Sequence, residues 1–70
     1  MHPVRFQIET LLEAWGEVII HTASGQTWEI HAGDMPELLD AGIEFKTATE
    51  QHVIFYDQIE RLTVHKAHSA

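Results

Sequence analysis

The fold is decided by one stretch near the carboxyl end, His52-Val53-Ile54-Phe55-Tyr56-Asp57-Gln58-Ile59-Glu60-Arg61-Leu62-Thr63-Val64. It contains two apolar segments of strand-like composition, separated only by Asp57 and Gln58 before Ile59. A tight hairpin between these segments would require Gly or Asn at a positive φ angle, and neither residue type is present. The stretch therefore predicts a tight corner that carries the chain from one sheet edge to another, as in a small, strongly bent barrel.

The amino-terminal part predicts a short helix. Residues 4–14 carry apolar side chains at roughly helical spacing, and Gly16 follows as a stop signal. These apolar residues are Phe6, Ile8, Leu11 and Leu12. The β-branched content near the start leaves a strand over residues 5–9 as the alternative.

Residues 17–32 predict a hairpin closed by the three-residue loop Ser24-Gly25-Gln26, with Gly25 in the left-handed conformation. One face of this register is apolar throughout. The other face sets His21 opposite Glu29 and Ile19 opposite His31. A two-residue loop would bury a charge against Ile20, which favours the longer loop.

The rest of the chain predicts a connection and three more strands. Residues 33–42 have turn formers at both ends and room for a single helical turn, beginning at Pro36 after an Asp34 cap. The five predicted strands cover residues 17–23, 27–32, 43–48, 52–56 and 61–66. We expect residues 67–70 to form a loose tail, and residues 1–70 to form one mainly β domain.

Composition restricts the function classes. Eleven acidic residues against four basic ones give a formal charge of −7, which repels a phosphate backbone and predicts no DNA binding. No segment reaches the ~20 apolar residues of a membrane span, and the first residues lack a signal-peptide core. We therefore expect a cytoplasmic protein without a membrane partner.

Size and cysteine content indicate self-association. A domain of 70 residues buries only about 60% of its unfolded surface, and this chain has no Cys for a disulfide or a thiolate zinc site. A homo-oligomer is the remaining common source of stability. The sequence also lacks a Cys nucleophile and a Gly-rich phosphate loop, so it predicts no enzyme and no cofactor.

The predicted order of elements resembles the Sm-like fold of Sm and LSm proteins and of the bacterial RNA chaperone Hfq, over residues 6–65. The resemblance is carried by Ala23-Ser24-Gly25 at the end of the first strand and by Val53-Ile54-Phe55-Tyr56-Asp57-Gln58-Ile59 at the second motif. It implies a five-stranded, strongly bent SH3-like or Sm-like barrel, a ring of identical subunits and single-stranded RNA as a ligand. Small bacterial Sm-like lipoproteins are similar at Ser24-Gly25-Gln26-Thr27 and Gly33-Asp34-Met35-Pro36-Glu37, but this chain lacks their lipidated Cys.

The resemblance also implies a ligand or RNA site at the corner. Two alignments that differ by one residue place it at Phe55, Tyr56, Asp57 and Gln58. In both alignments Asp57 stands where RNA-binding members have Lys, His or Asn. The acidic charge therefore favours a protein partner, with single-stranded RNA bound weakly.

Two short apolar strands at sheet edges predict the oligomer interface, because unpaired edges otherwise promote aggregation. We expect the strand over residues 52–56 of one subunit to pair with residues 61–65 of the next. The interface residues are Val53, Phe55, Leu62 and Val64.

A second function class depends on the outer face of the hairpin. His21, Glu29 and His31 are metal-ligand types on one face, and His65 and His68 form a weaker pair near the end. A metal site needs three or four convergent ligands, and the hairpin offers three at most. A solvated cluster without metal is therefore expected, with a small metal-binding or acid–base enzyme as the alternative.

Overall fold

The structure, a computed structural model, describes residues 2–65 and is mainly β with one amino-terminal helix, as the sequence predicts. The elements are α1 (Pro3–Trp15), β1 (Glu17–Thr22), β2 (Thr27–His31), β3 (Glu37–Leu38), β4 (Gly42–Lys46), β5 (Gln51–Phe55) and β6 (Ile59–Thr63). The predicted strand end at Lys66, the predicted tail and His68 lie outside the described residues. Within residues 2–65, no helix has the length and apolar character needed to cross a membrane.

Both ends of α1 follow from local sequence. The His2 side chain accepts a hydrogen bond from the Val4 backbone N–H at 3.1 Å and so caps the first turn. At the other end Gly16 has a φ of 74°, and its N–H donates to the Leu12 carbonyl. The helix prediction is confirmed, and the alternative of a strand over residues 5–9 is wrong.

The helix covers the core with one face only. Ile8 is fully buried, and Leu11 and Leu12 pack against the core. Phe6, by contrast, is 59% exposed. The apolar residues that predict the helix therefore include one, Phe6, that points away from the core.

The strands form two antiparallel sheets of three, in the orders β2-β1-β6 and β3-β4-β5. Two short 3₁₀ turns connect the sheets. Ala32–Asp34 leads from β2 towards β3, and Tyr56–Gln58 leads from β5 to β6. The second turn is the corner that the sequence predicts, because it carries the chain from the edge of one sheet to the edge of the other.

Residues 2–65 form six strands instead of the five predicted for the chain, and the additional strand lies in the segment predicted as a loop. The Ala32 N–H first donates to the Gly16 carbonyl at 2.9 Å, which extends the β1–β2 ladder. The 3₁₀ turn then begins at Ala32, not at Pro36 as predicted, and Met35 adopts a left-handed φ of 54°. This change of direction brings β3 alongside β4.

The hairpin loop differs from the prediction by one residue. The loop is Ala23-Ser24-Gly25, because the Gly25 N–H donates to the Thr22 carbonyl at 3.0 Å and the Thr22 N–H donates to the Gln26 carbonyl at 2.9 Å. Gly25 has a φ of 90°, as predicted. The Thr22 hydroxyl also accepts from the Gln26 N–H and bonds to the Ser24 hydroxyl, which fixes this closure.

The shifted loop changes every cross-strand pair. Glu17 lies opposite His31, Ile19 opposite Glu29 and His21 opposite Thr27. The predicted pairs His21 with Glu29 and Ile19 with His31 are therefore wrong. Because each partner moves by two residues, every side chain stays on its predicted face of the sheet.

The core lies between α1 and the two sheets. Its buried residues are Ile8, Val18, Ile20, Ile30, Ile43, Phe45, Ile54 and Tyr56. Gly42 is needed for this packing, because a Cβ atom there would lie 2.5 Å from the Ile54 carbonyl oxygen. Every buried side-chain nitrogen and oxygen of residues 2–65 has a hydrogen-bond partner.

Candidate functional site

The strands β5 and β6 are edge strands in the described part of the chain. β5 pairs only with β4, and β6 pairs only with β1. Each therefore presents one row of backbone N–H and C=O groups away from its sheet.

Hydrogen bonds at both ends of the β4–β5 ladder determine which residues of β5 face outward. The Thr47 N–H donates to the Glu50 carbonyl, and the Tyr56 N–H donates to the Ala41 carbonyl. Because hydrogen-bonded and non-bonded pairs alternate in an antiparallel ladder, residues 52 and 54 bond to β4. The backbone groups of Val53 and Phe55 therefore point to the free edge.

The same alternation applies to β6. Bonds from Thr22 to Gln26 and from Ala32 to Gly16 direct the even-numbered residues of β1 towards β2. The odd residues of β1 consequently bond to β6, opposite residues 61 and 63. The backbone groups of Leu62 therefore point to the free edge, and half-buried Val64 follows immediately after the strand.

Both free edges lie beside apolar surface. On β5, the side chains of Val53 and Phe55 are 43% and 53% exposed. Beside β6, a groove of about 470 Å³ runs between the strand and α1. Its lining residues are Phe6, Gln7, Thr10, Leu11, Arg61 and Leu62. The sequence did not predict this groove, because it depends on how the exposed face of α1 meets β6.

The four predicted corner residues have different environments. Tyr56 is 1% exposed, and its hydroxyl donates to the Leu39 carbonyl oxygen at 2.7 Å. Burial raises the pKa of this phenol, and the nearby Asp40 charge raises it further, while the Arg5 charge opposes both. Phe55, Asp57 and Gln58 are exposed, and Asp57 accepts a hydrogen bond from His2 Nε2 at 3.1 Å.

Gln58 also lines an open cavity of about 490 Å³ between the hairpin tip and β5. The Ala23 N–H donates to the Gln58 carbonyl at 2.9 Å and so holds the hairpin tip against the corner. The cavity is lined by Thr22, Ala23, Ser24, Gln26, Trp28, His52, Val53, Ile54 and Gln58. Trp28 and His52 stand with ring centroids 4.7 Å apart, so this pocket combines aromatic rings with amides and hydroxyls.

The outer face of the β2-β1-β6 sheet contains the predicted histidine and glutamate residues, but in a different set. His31 Nε2 lies 2.7 Å from a Glu29 carboxylate oxygen, where the sequence predicted His21. His21 instead bonds to the Thr63 hydroxyl at 2.8 Å. The structure therefore brings Glu29 and His31 together and directs His21 towards β6.

Glu17 and His65 join this face; the sequence indicated His65 only as a pair with His68 and did not indicate Glu17. His65 Nδ1 donates to a Glu17 carboxylate oxygen at 2.6 Å, and His65 Nε2 lies 3.3 Å from a Glu29 oxygen. The His65 backbone N–H donates to Glu17 as well, at 2.8 Å. The correct hairpin register, which sets Glu17 opposite His31, is the signal that would have revealed Glu17.

Near the corner, the cation Arg5 is paired with Asp40 at 3.6 Å, and both charges act on Tyr56. Comparisons of the chain with family models, with curated proteins and with solved structures find no match.

Proposed function

We propose that this protein is a small Sm-like binding or scaffold module that assembles when β5 of one copy pairs with β6 of the next. The observation that carries the proposal is the pair of free strand edges, each with outward backbone groups and adjacent apolar surface. Val53 and Phe55 present these groups on β5, and Leu62 presents them on β6.

The strand order supports the Sm-like assignment. If β2 and β3 are taken as two halves of one bent strand, the order becomes β6-β1-β2/β3-β4-β5 behind an amino-terminal helix. Five strands in this order, with a tight corner before the last, are what the resemblance implies. The turn at Ala32–Asp34 and the left-handed Met35 form the bend between the two halves.

The apolar surfaces support head-to-tail association. Phe55 extends from β5, while the groove beside β6 is lined by Phe6, Leu11 and Leu62. We expect Phe55 of one copy to enter this groove of the next, because burying an aromatic ring removes a large apolar area from water. Contacts between two different surfaces of one chain close into a ring when the rotation between copies permits it.

The charge and the corner favour a protein partner over RNA. Asp57 places a carboxylate where a base-recognising side chain would stand, and Tyr56 is too buried to stack on a base. With four basic residues per chain, few phosphates can be neutralised by each subunit. We therefore assign the assembled module to protein binding, with weak binding of single-stranded RNA.

Native mass spectrometry of Val53→Pro tests the edge pairing. Proline removes the N–H that points to the free edge, while the bonds of residues 52 and 54 to β4 stay in place. We expect an oligomeric wild-type chain and a folded monomeric variant. Phe55→Glu should also dissociate the oligomer, because it would bury a charge in the groove.

Two controls accompany these variants. Phe55→Leu keeps an apolar side chain and should retain the oligomer, and Met35→Glu introduces the same charge at a side chain that is 85% exposed. Circular dichroism verifies that each variant is folded. A monomeric wild-type chain, or a Val53→Pro variant with the wild-type assembly mass, would rule the proposal out.

A further inference from the structure

Glu17, Glu29 and His31 bring metal-ligand atoms together on the outer face of the β2-β1-β6 sheet. One carboxylate oxygen from each glutamate and one ring nitrogen of the histidine lie within 4.8 Å of one another. The backbone produces this grouping, because Glu17 and His31 are directly opposite in the β1–β2 register and Glu29 lies two residues before His31 on the same face.

We propose that these three residues bind one divalent transition-metal ion, with His65 completing the coordination. His65 already contacts both carboxylates, at 2.6 Å to Glu17 and 3.3 Å to Glu29. The site would join β1, β2 and the segment that follows β6. His65 follows the β6 edge, but its backbone N–H donates to Glu17 on the β1 side, so the metal site and the proposed self-association use different groups.

The negative charge of the two glutamates favours a cation at this position. The Glu17 side chain is only 7% exposed, and the Glu29 carboxylate lies in the same group. Two carboxylates held close together, one of them removed from water, are stabilised by a positive charge between them. A bound divalent ion supplies that charge.

The distances require only small movements. Ligands at about 2.0–2.2 Å from a tetrahedral zinc lie roughly 3.4 Å from one another. Because all the ligand atoms of the group lie within 4.8 Å of one another, no pair has to close by more than roughly 1.4 Å. Glu29 and His31 are exposed side chains on a regular strand and can move this far by changing rotamer.

The donor set indicates the class of metal. Imidazole nitrogen together with carboxylate oxygen suits Zn²⁺ and neighbouring transition metals, whereas Ca²⁺ and Mg²⁺ prefer oxygen ligands alone. We therefore expect Zn²⁺ to bind and Ca²⁺ to be a poor competitor.

Isothermal titration with zinc chloride, on the full chain without an affinity tag, tests the site. We expect saturation at one ion per chain and a rise in the thermal unfolding temperature, because the ion binds the folded state. Glu29→Gln and His31→Gln remove exposed ligands and should each weaken binding by at least about tenfold.

His21→Gln is the matched control, since His21 lies on the same face but bonds to Thr63. Its zinc affinity should stay within about twofold of the wild type. The proposal is overturned by the absence of saturable binding, by equal loss in His21→Gln, or by wild-type affinity in both ligand variants. Displacement of zinc by equimolar Ca²⁺ would overturn the assignment to a transition metal.

Discussion

Tyr56 ends the apolar run of β5, but its hydroxyl lies inside the molecule. It donates to the Leu39 carbonyl oxygen at 2.7 Å, and this bond ties the corner to the turn between β3 and β4. Burial raises the pKa of the phenol, because the charged phenolate would lose its hydration. One residue thus fills the core and holds two turns together.

The alkaline stability of the protein should reflect this environment. Since the folded pKa lies above the unfolded value of about 10, the stabilisation from neutral Tyr56 is constant below about pH 10 and declines as the pH rises towards the folded pKa. Tyr56→Phe should lower the free energy of unfolding by about 1 kcal/mol at neutral pH, through loss of the hydrogen bond.

Urea unfolding of both proteins at neutral pH and at about pH 10.5 checks this prediction. The variant should lose less stability than the wild type between the two conditions. Equal losses would show that Tyr56 does not control the alkaline decline.

At the scale of the element, α1 carries two apolar surfaces with different surroundings. Ile8 is fully buried against the sheets, whereas Phe6 is exposed and lines the groove beside β6. The same helical periodicity produces both, because apolar residues spaced along the helix occupy more than the stripe that the core covers.

Substitutions on the two surfaces should have different effects. Ile8→Ala should lower the free energy of unfolding by about 2–5 kcal/mol, since it leaves a cavity in the core. Phe6→Ser should change the stability of the isolated chain by less than about 0.5 kcal/mol. It should nevertheless weaken self-association, because the groove loses its aromatic side chain.

Denaturant titration at low protein concentration measures stability, and sedimentation velocity over a range of concentrations measures association. A Phe6→Ser variant that unfolds as easily as Ile8→Ala, or that associates like the wild type, would contradict this division of the helix.

At the scale of the whole molecule, the charge of −7 opposes nucleic-acid binding even in an assembly. Arg5 is already paired with Asp40. In a chain that is not assembled, stacking of a base on exposed Phe55 would contribute about 1–3 kcal/mol, and stacking depends little on salt. Short A-rich and U-rich RNAs should therefore bind weakly at physiological salt, with a shallow salt dependence.

Fluorescence anisotropy with labelled RNAs at two or more salt concentrations tests this expectation. Sub-micromolar affinity that falls steeply with added salt would show that the assembled protein concentrates its few cations on one face. In that case RNA, and not a protein, would be its partner.

Local sequence determined the features that depend on a few neighbouring residues. The helix end at Gly16 and the left-handed Gly25 in the hairpin were predicted, because Gly adopts a positive φ without a steric penalty. The corner after Phe55 was predicted because the segment has no Gly or Asn for a hairpin turn. The faces of β1 and β2 were also predicted, since side chains alternate in any strand.

Only the three-dimensional structure decided which residues pair across the strands. A loop displaced by one residue moved every hairpin partner by two, and the local hydrogen bonds of Thr22 selected between registers of similar apolar pattern. The contact of Glu17 with His65 joins residues that are 48 positions apart in the chain, and it forms only when β6 pairs with β1. The candidate sites join such distant segments, and for this reason their residues could be named only in part from the sequence.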